Sequence, residues 1–146
     1  MKPPMFSSPP PGPMPQEYLR LARMFKDTAI FLPEYIGNEQ NWPAYALLLH
    51  ACELAVKAFC AKSVENGHPA DKAKNHDLRG WYEIALRYGF PAHQSTKAAI
   101  DILTDLHAVH YTRYPDNRKG PVPDLSFAKQ TAEDLISAAN QLIHPH

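Results

Sequence analysis

Apolar residues recur every three or four positions along most of the chain, which is the spacing of one face of an α-helix. The first such stretch, PQEYLRLARMFKDTAIFL, places Tyr18 and Phe25 on one face and opens with Pro15. Proline is favoured in the first turn of a helix, where its missing N–H has no partner to lose. The pattern therefore predicts a helix that begins at Pro15 and ends before Pro33.

The stretch PAYALLLHACELAVKAFCAKSVENG has the strongest helical pattern and is apolar on almost every side. A helix with several apolar faces belongs in the middle of other helices. One narrow polar stripe, formed by His50, Glu53 and Lys57, interrupts these faces. We expect this stripe either to reach solvent through a gap between helices or to be buried against a partner.

Three further helices follow from the same spacing. The first is a short helix with Asn75 or Asp77 as its N-cap, and it is predicted to stop at Gly89. The stretch AHQSTKAAIDILTDLHAVHY predicts a longer one. Its expected inner face consists of Ala99, Ile102, Leu103, Leu106 and Val109.

The last helix, DLSFAKQTAEDLISAANQLI, is predicted with Asp124 or Ser126 as its cap. No segment alternates in polarity, so no sheet is expected. The fold class predicted is all-α, an antiparallel up-and-down helical bundle of four long helices plus one short helix.

The composition divides the chain into two parts. The first sixteen residues, MKPPMFSSPPPGPMPQ, hold seven of the fifteen prolines and cannot sustain a helix or a strand ladder. We expect residues 1–14 to form a disordered proline-rich tail and residues 15–146 to form one helical domain.

Charge and cysteine content narrow the possible partners. Lys plus Arg balance Asp plus Glu at 15 each, so no overall field attracts nucleic acid or a membrane. Cys52 and Cys60 lie about 12 Å apart along one helix, which is too far for a disulfide. No stretch of 18 apolar residues lacks charge, so we expect no membrane span and a cytoplasmic setting.

Three separated motifs resemble the HEPN domain family. YALLLHACELAVKAF is similar to its second helix, in which a Glu and a Lys stand four residues apart. NHDL is similar to the start of its short helix, and HYTRYPD to the end of its next long helix. The resemblance covers the chain from Pro15 to about Leu142.

The resemblance implies a compact antiparallel bundle that forms a homodimer with a groove between subunits, without a cofactor. It also implies binding of a nucleotide or single-stranded RNA, and a small nucleotidyltransferase as partner in a toxin–antitoxin-type system. Metal-independent ribonucleases of the family carry Arg, four to six residues, and then His. Here no His follows Arg113 until the tail, and the literal match from Arg87 to His93 lies in a loop.

The segment HAVHYTRYPDNRKG concentrates the candidate binding residues. Arg113 can hold a phosphate bidentately, and Arg118 and Lys119 add positive charge. Tyr111 and Tyr114 offer rings on which a base can stack. The predicted nucleotide- or phosphate-binding residues are Arg113, Tyr114, Asp116, Arg118, Lys119, His76 and Tyr111. The alternative interpretation is a helix end neutralised by cations, followed by a Tyr-Pro-Asp turn.

Catalysis and metal binding are the rival interpretations. His110 could act as base and Arg113 as cation in a metal-independent ribonuclease, although His110 precedes the arginine. His107 and His110 share a helix face but would need His50 or Glu53 as a third ligand, so we expect no metal. We expect binding without catalysis.

The polar stripe also has two interpretations. His50, Glu53 and Lys57 could fix the packing register or a dimer seam, which would make the chain an interaction module. Together with Arg113 and Asp116, they could instead form a charged pocket between subunits.

Overall fold

The computed structural model describes residues 14–73, 77–108 and 123–145, with side chains described up to residue 105 in the second range. Five helices account for most of these residues: α1 (Pro15–Ile30), α2 (Trp42–Glu65), α3 (Leu78–Arg87), α4 (Gln94–Ala108) and α5 (Leu125–Ile143). The predicted helical class is confirmed. Pro15 opens α1 as predicted, and Gly89 follows α3 with a φ of 97°, in the left-handed region.

Helix α2 lies at the centre of the described structure and contacts each of the other four helices. Most of its apolar residues are buried, which explains why it is apolar on nearly every side. They include Tyr45, Leu48, Leu49, Cys52, Val56 and Phe59. The side chain of Asn41 caps its first turn by accepting a hydrogen bond from the Ala44 N–H, at 3.3 Å.

The expectation of no sheet was wrong. Strands β1 (Tyr35–Ile36) and β2 (Glu39–Gln40) form a short antiparallel hairpin between α1 and α2. Gly37 has a φ of 63°, as the first residue of a tight two-residue hairpin turn requires. With two residues in each strand, the hairpin is too short to produce an alternating pattern, and its sequence signal is the Gly-Asn turn.

The predicted inner face of α4 was partly wrong. Ala99 and Leu103 are buried as expected, but Ile102 is 44% exposed and Ile100 takes its place in the core. Apolar residues lie on two sides of α4, so the spacing alone did not decide which side faces inward.

Polar contacts fix α5 against α1 and the segment that follows α1. Lys26 of α1 pairs with Glu133 at 3.0 Å, and Arg23 donates to the Asn140 side chain at 2.7 Å. Where α5 begins, the Glu34 carboxylate accepts from the Leu125 N–H at 3.1 Å. This contact satisfies one of the free N–H groups of the first turn, and Asp124 at the N-cap position makes no side-chain cap bond.

Candidate functional site

Of the residues predicted to form a site, the structure describes the polar stripe of His50, Glu53 and Lys57. The other predicted residues lie outside the part of the chain whose side chains it describes. They are His76, His107, His110, Tyr111, Arg113, Tyr114, Asp116, Arg118 and Lys119. The candidate site is therefore built from the polar stripe outward.

Glu53 and Lys57 form an ion pair on one face of α2. The Lys57 Nζ lies 2.9 Å from the Glu53 Oε2, and the two side chains are only 17% and 6% exposed. The two residues stand four positions apart, so their side chains lie next to each other on the helix surface. Because the pair is withdrawn from water, its attraction is screened less than that of a surface pair.

Aromatic residues of two neighbouring helices pack against the polar stripe. The ring of His50 packs edge-on against Phe25 of α1, with 4.5 Å between ring centroids. The Lys57 Nζ lies 5.4 Å from the centroid of the Trp81 ring of α3, within the range of a cation–π contact. The stripe thus runs along a seam where α2 meets α1 and α3.

A cavity of about 520 Å³ opens beside Lys57, and we call it the Lys57 cleft. Its walls come from the start of α1, the second half of α2, the segment before α3, and Trp81. Most of them are apolar or aromatic. The lining residues are Met14, Pro15, Tyr18, Lys57, Cys60, Ala61, Val64, Glu65, Ala70, Asp71, Lys72 and Trp81.

The charged groups of the Lys57 cleft are largely neutralised. Lys57 pairs with Glu53, as described above. At the rim, Glu65 faces Lys62 at 3.6 Å and Asp71 faces Arg87 at 3.3 Å. Lys72 has no ion-pair partner among the described residues and is exposed. Counting the described residues, the cleft therefore has a neutral interior, and Lys72 is an uncompensated cation at its mouth.

Cys60 forms part of the cleft floor, with its Sγ 3.8 Å from the Trp81 carbonyl oxygen. Burial raises the pKa of the Cys60 thiol to about 12. The residue is therefore a neutral thiol at physiological pH and not a nucleophile. Cys52, which is fully buried in the core, has its pKa raised to about 12 for the same reason, and both cysteines are free.

A second cavity, of about 400 Å³, lies between the start of α4 and the second half of α5. We call it the α4–α5 groove. His93 lines this groove, together with hydroxyl groups from Ser95, Thr96 and Ser137. Arg87, the other half of the literal Arg-to-His match in the sequence, contacts Asp71 at the rim of the Lys57 cleft.

Several residues of the Lys57 cleft were missed from the sequence. Trp81 and Tyr18 lie on helices other than α2, and no local pattern shows that these helices meet at the polar stripe. The available signal was weak: a tryptophan inside a short amphipathic helix. Lys72 lies in a segment without helical spacing, which gave no indication of its place at a cleft.

Within the described ranges, no group of three His, Cys, Asp or Glu residues could hold a metal ion. Helix α2 is long and apolar enough to cross a membrane by length and composition, but 72% of its most apolar window is buried inside the structure. A core helix passes the same test, so this is weak evidence for a span. Comparisons of the chain with protein-family models, curated proteins and solved structures gave no match.

Proposed function

We propose that the chain is a HEPN-like domain that binds a nucleotide or single-stranded RNA, and that a base enters the Lys57 cleft. The observation that carries the proposal is a partly buried Lys57 ammonium facing the Trp81 ring in a cavity of about 520 Å³. Aromatic side chains beside a cation are the usual platform for unpaired bases.

The size and lining of the cleft support this assignment. Small-ligand sites are concave, mostly apolar, and contain a few placed polar groups. The cleft volume lies within the range of about 300–1,000 Å³ typical of such sites. Tyr18 and Trp81 contribute aromatic surface from opposite helices, and Lys57 provides N–H donors between them.

The proposal includes an antiparallel up-and-down arrangement of the helices. Along α1 and α5, Arg23 contacts Asn140 and the Ile30 carbonyl accepts from Lys129, so this pair runs in opposite directions. The family resemblance extends the proposal to a cytoplasmic homodimer and a small nucleotidyltransferase partner. In a bound single strand, Arg113 and its neighbours would then contact phosphates other than the one nearest the Lys57 cleft.

Titration of the full chain with a short single-stranded oligoadenylate tests the binding proposal. We expect saturable binding in a calorimeter, weakened about tenfold or more in Trp81→Leu, because stacking contributes about 1–3 kcal/mol per base. Trp42→Phe is the matched control, since Trp42 lies at the opposite end of α2 from the cleft. Absence of binding by the wild type, or equal loss in both variants, would refute the proposal.

Incubation of RNA with the protein in EDTA distinguishes binding from the ribonuclease alternative. We expect intact RNA on a denaturing gel with the wild type. Cleavage that both His110→Ala and Arg113→Ala abolish would instead identify a metal-independent ribonuclease.

The contacts of Lys57 with Glu53 and of His50 with Phe25 support a second candidate, an interaction module in which the stripe fixes helix packing or a dimer seam and binds no ligand. In that case Glu53→Ala and Lys57→Ala would change the oligomeric state and leave every titration unchanged. Size-exclusion chromatography with light scattering, run beside the oligoadenylate titration, separates the two candidates.

A further inference from the structure

The charges of the Lys57 cleft differ sharply between its interior and its mouth. Inside, the cation supplied by the described residues is Lys57, and the Glu53 carboxylate 2.9 Å away neutralises it. At the mouth, Lys72 is exposed and has no ion-pair partner among the described residues. An anion therefore meets no net positive charge inside the cleft but does meet one at its edge.

We propose that the interior of the Lys57 cleft takes an uncharged heteroaromatic ring, as in a nucleoside, and that Lys72 holds the attached phosphate outside. This inference rests on the proposed nucleotide-binding function and divides the ligand between two parts of the site. Under this assignment the ring contributes most of the binding free energy, and the phosphate contributes a smaller part.

Desolvation excludes the phosphate from the interior. The walls near Lys57 are formed by groups such as the Trp81 indole and the side chains of Ala61 and Val64, which cannot replace the water lost by a phosphate. The almost fully buried Glu53 carboxylate, 2.9 Å from the Lys57 Nζ, already balances the ammonium charge. A phosphate here would place a second negative charge beside that carboxylate, which is unfavourable.

Lys57 can nevertheless donate a hydrogen bond to a neutral ring. An ammonium group has three N–H donors, and one of them is directed to the Glu53 Oε2. The remaining donors can meet a ring nitrogen or a carbonyl oxygen at the edge of a base. A paired lysine thus supplies a hydrogen bond without attracting anions, which selects rings with an acceptor at the edge.

Lys72 lines the same cleft and is exposed, so it can reach a phosphate that extends from the cleft into solvent. The adjacent rim carboxylates do not oppose it fully, because Asp71 faces Arg87 and Glu65 faces Lys62. An exposed cation of this kind adds a modest, salt-sensitive attraction.

The inference is tested with three probes on the full chain: adenosine, adenosine 5′-monophosphate and ribose 5-phosphate. Calorimetric titrations at low and high salt use the wild type, Lys72→Ala, Trp81→Leu and Trp42→Phe. We expect adenosine to bind the wild type and Lys72→Ala equally at both salt concentrations. The monophosphate should bind about two- to fivefold more tightly than adenosine, and Lys72→Ala or high salt should remove that gain.

We also expect no binding of ribose 5-phosphate, and a loss of about tenfold or more for both adenine ligands in Trp81→Leu. Binding of the monophosphate without binding of adenosine would overturn this inference and leave the proposed function in place. Failure of both adenine ligands and of the oligoadenylate would overturn both proposals. Thermal unfolding of each variant verifies that a loss of binding reflects the site and not the fold.

Discussion

Two groups of opposite charges in this protein lie at different depths. The Glu53–Lys57 pair lies inside, where α2 meets α1 and α3, with side chains 6% and 17% exposed. Arg79 at the start of α3 contacts Asp101 and Asp105 of α4, each at 2.9 Å, but these side chains are 38%, 43% and 75% exposed. The N···O distances are the same in both groups, but the Glu53–Lys57 pair is much less exposed to solvent.

The difference in depth assigns different roles to the two groups. Removing one member of a buried pair leaves the other without its charge partner in a medium that solvates it poorly. Water replaces the lost partner at the surface, so an exposed pair contributes little to stability. The deep pair adjoins a cleft, while the shallow group joins two helices at the surface.

The largest effect expected at neutral pH comes from breaking the deep pair. Glu53→Ala leaves the Lys57 ammonium among apolar neighbours and removes packed side-chain volume. We expect the free energy of unfolding to fall by about 3–5 kcal/mol, measured by urea denaturation.

The double variant Glu53→Leu with Lys57→Met is the matched control, because it removes both charges and keeps much of the apolar volume. We expect it to recover most of the loss. A loss below about 1 kcal/mol in Glu53→Ala would show that the pair behaves like a surface pair.

The next prediction concerns the loss of stability at alkaline pH caused by the two buried cysteines. Burial raises the pKa of Cys52 and of Cys60 from 9.0 to about 12. Between these values the unfolded chain loses the thiol proton and the folded chain keeps it. Stability is therefore unaffected by these groups below pH 9 and falls as the pH rises from 9 towards 12.

We expect a slope of about 1.4 kcal/mol per pH unit for each thiol in that window. Urea denaturation of the wild type and of the Cys52→Ala and Cys60→Ala variants measures it, because each substitution should remove one share of the slope. An unchanged slope in both variants would show that other groups cause the alkaline loss.

The same contrast explains what could be predicted from the sequence. The position of α2 was clear, since its apolar residues continue for many turns, and the spacing of Glu53 and Lys57 showed that they share a face. The depth of that face was not predictable, because it depends on Phe25 and Trp81, which come from other helices.

Weak or divided patterns account for the other differences. The hairpin at Gly37 is too short for periodicity, and α4 has apolar residues on two sides, so Ile102 was placed in the core instead of Ile100. The cleft is formed where three helices pack together, and the residue pattern along one helix does not show which other helices it contacts.

The smallest expected effect comes from the shallow group. Arg79→Ala removes the hydrogen bonds to Asp101 and Asp105, but water can solvate both freed carboxylates. We expect the free energy of unfolding to fall by less than about 1 kcal/mol, and the fall to shrink further at high salt. Urea denaturation at two salt concentrations measures both quantities, with Arg87→Ala as a control that breaks another exposed pair, to Asp71. A loss in Arg79→Ala as large as that in Glu53→Ala would mean that the junction of α3 and α4, and not the depth of a charge, governs the stability of this fold.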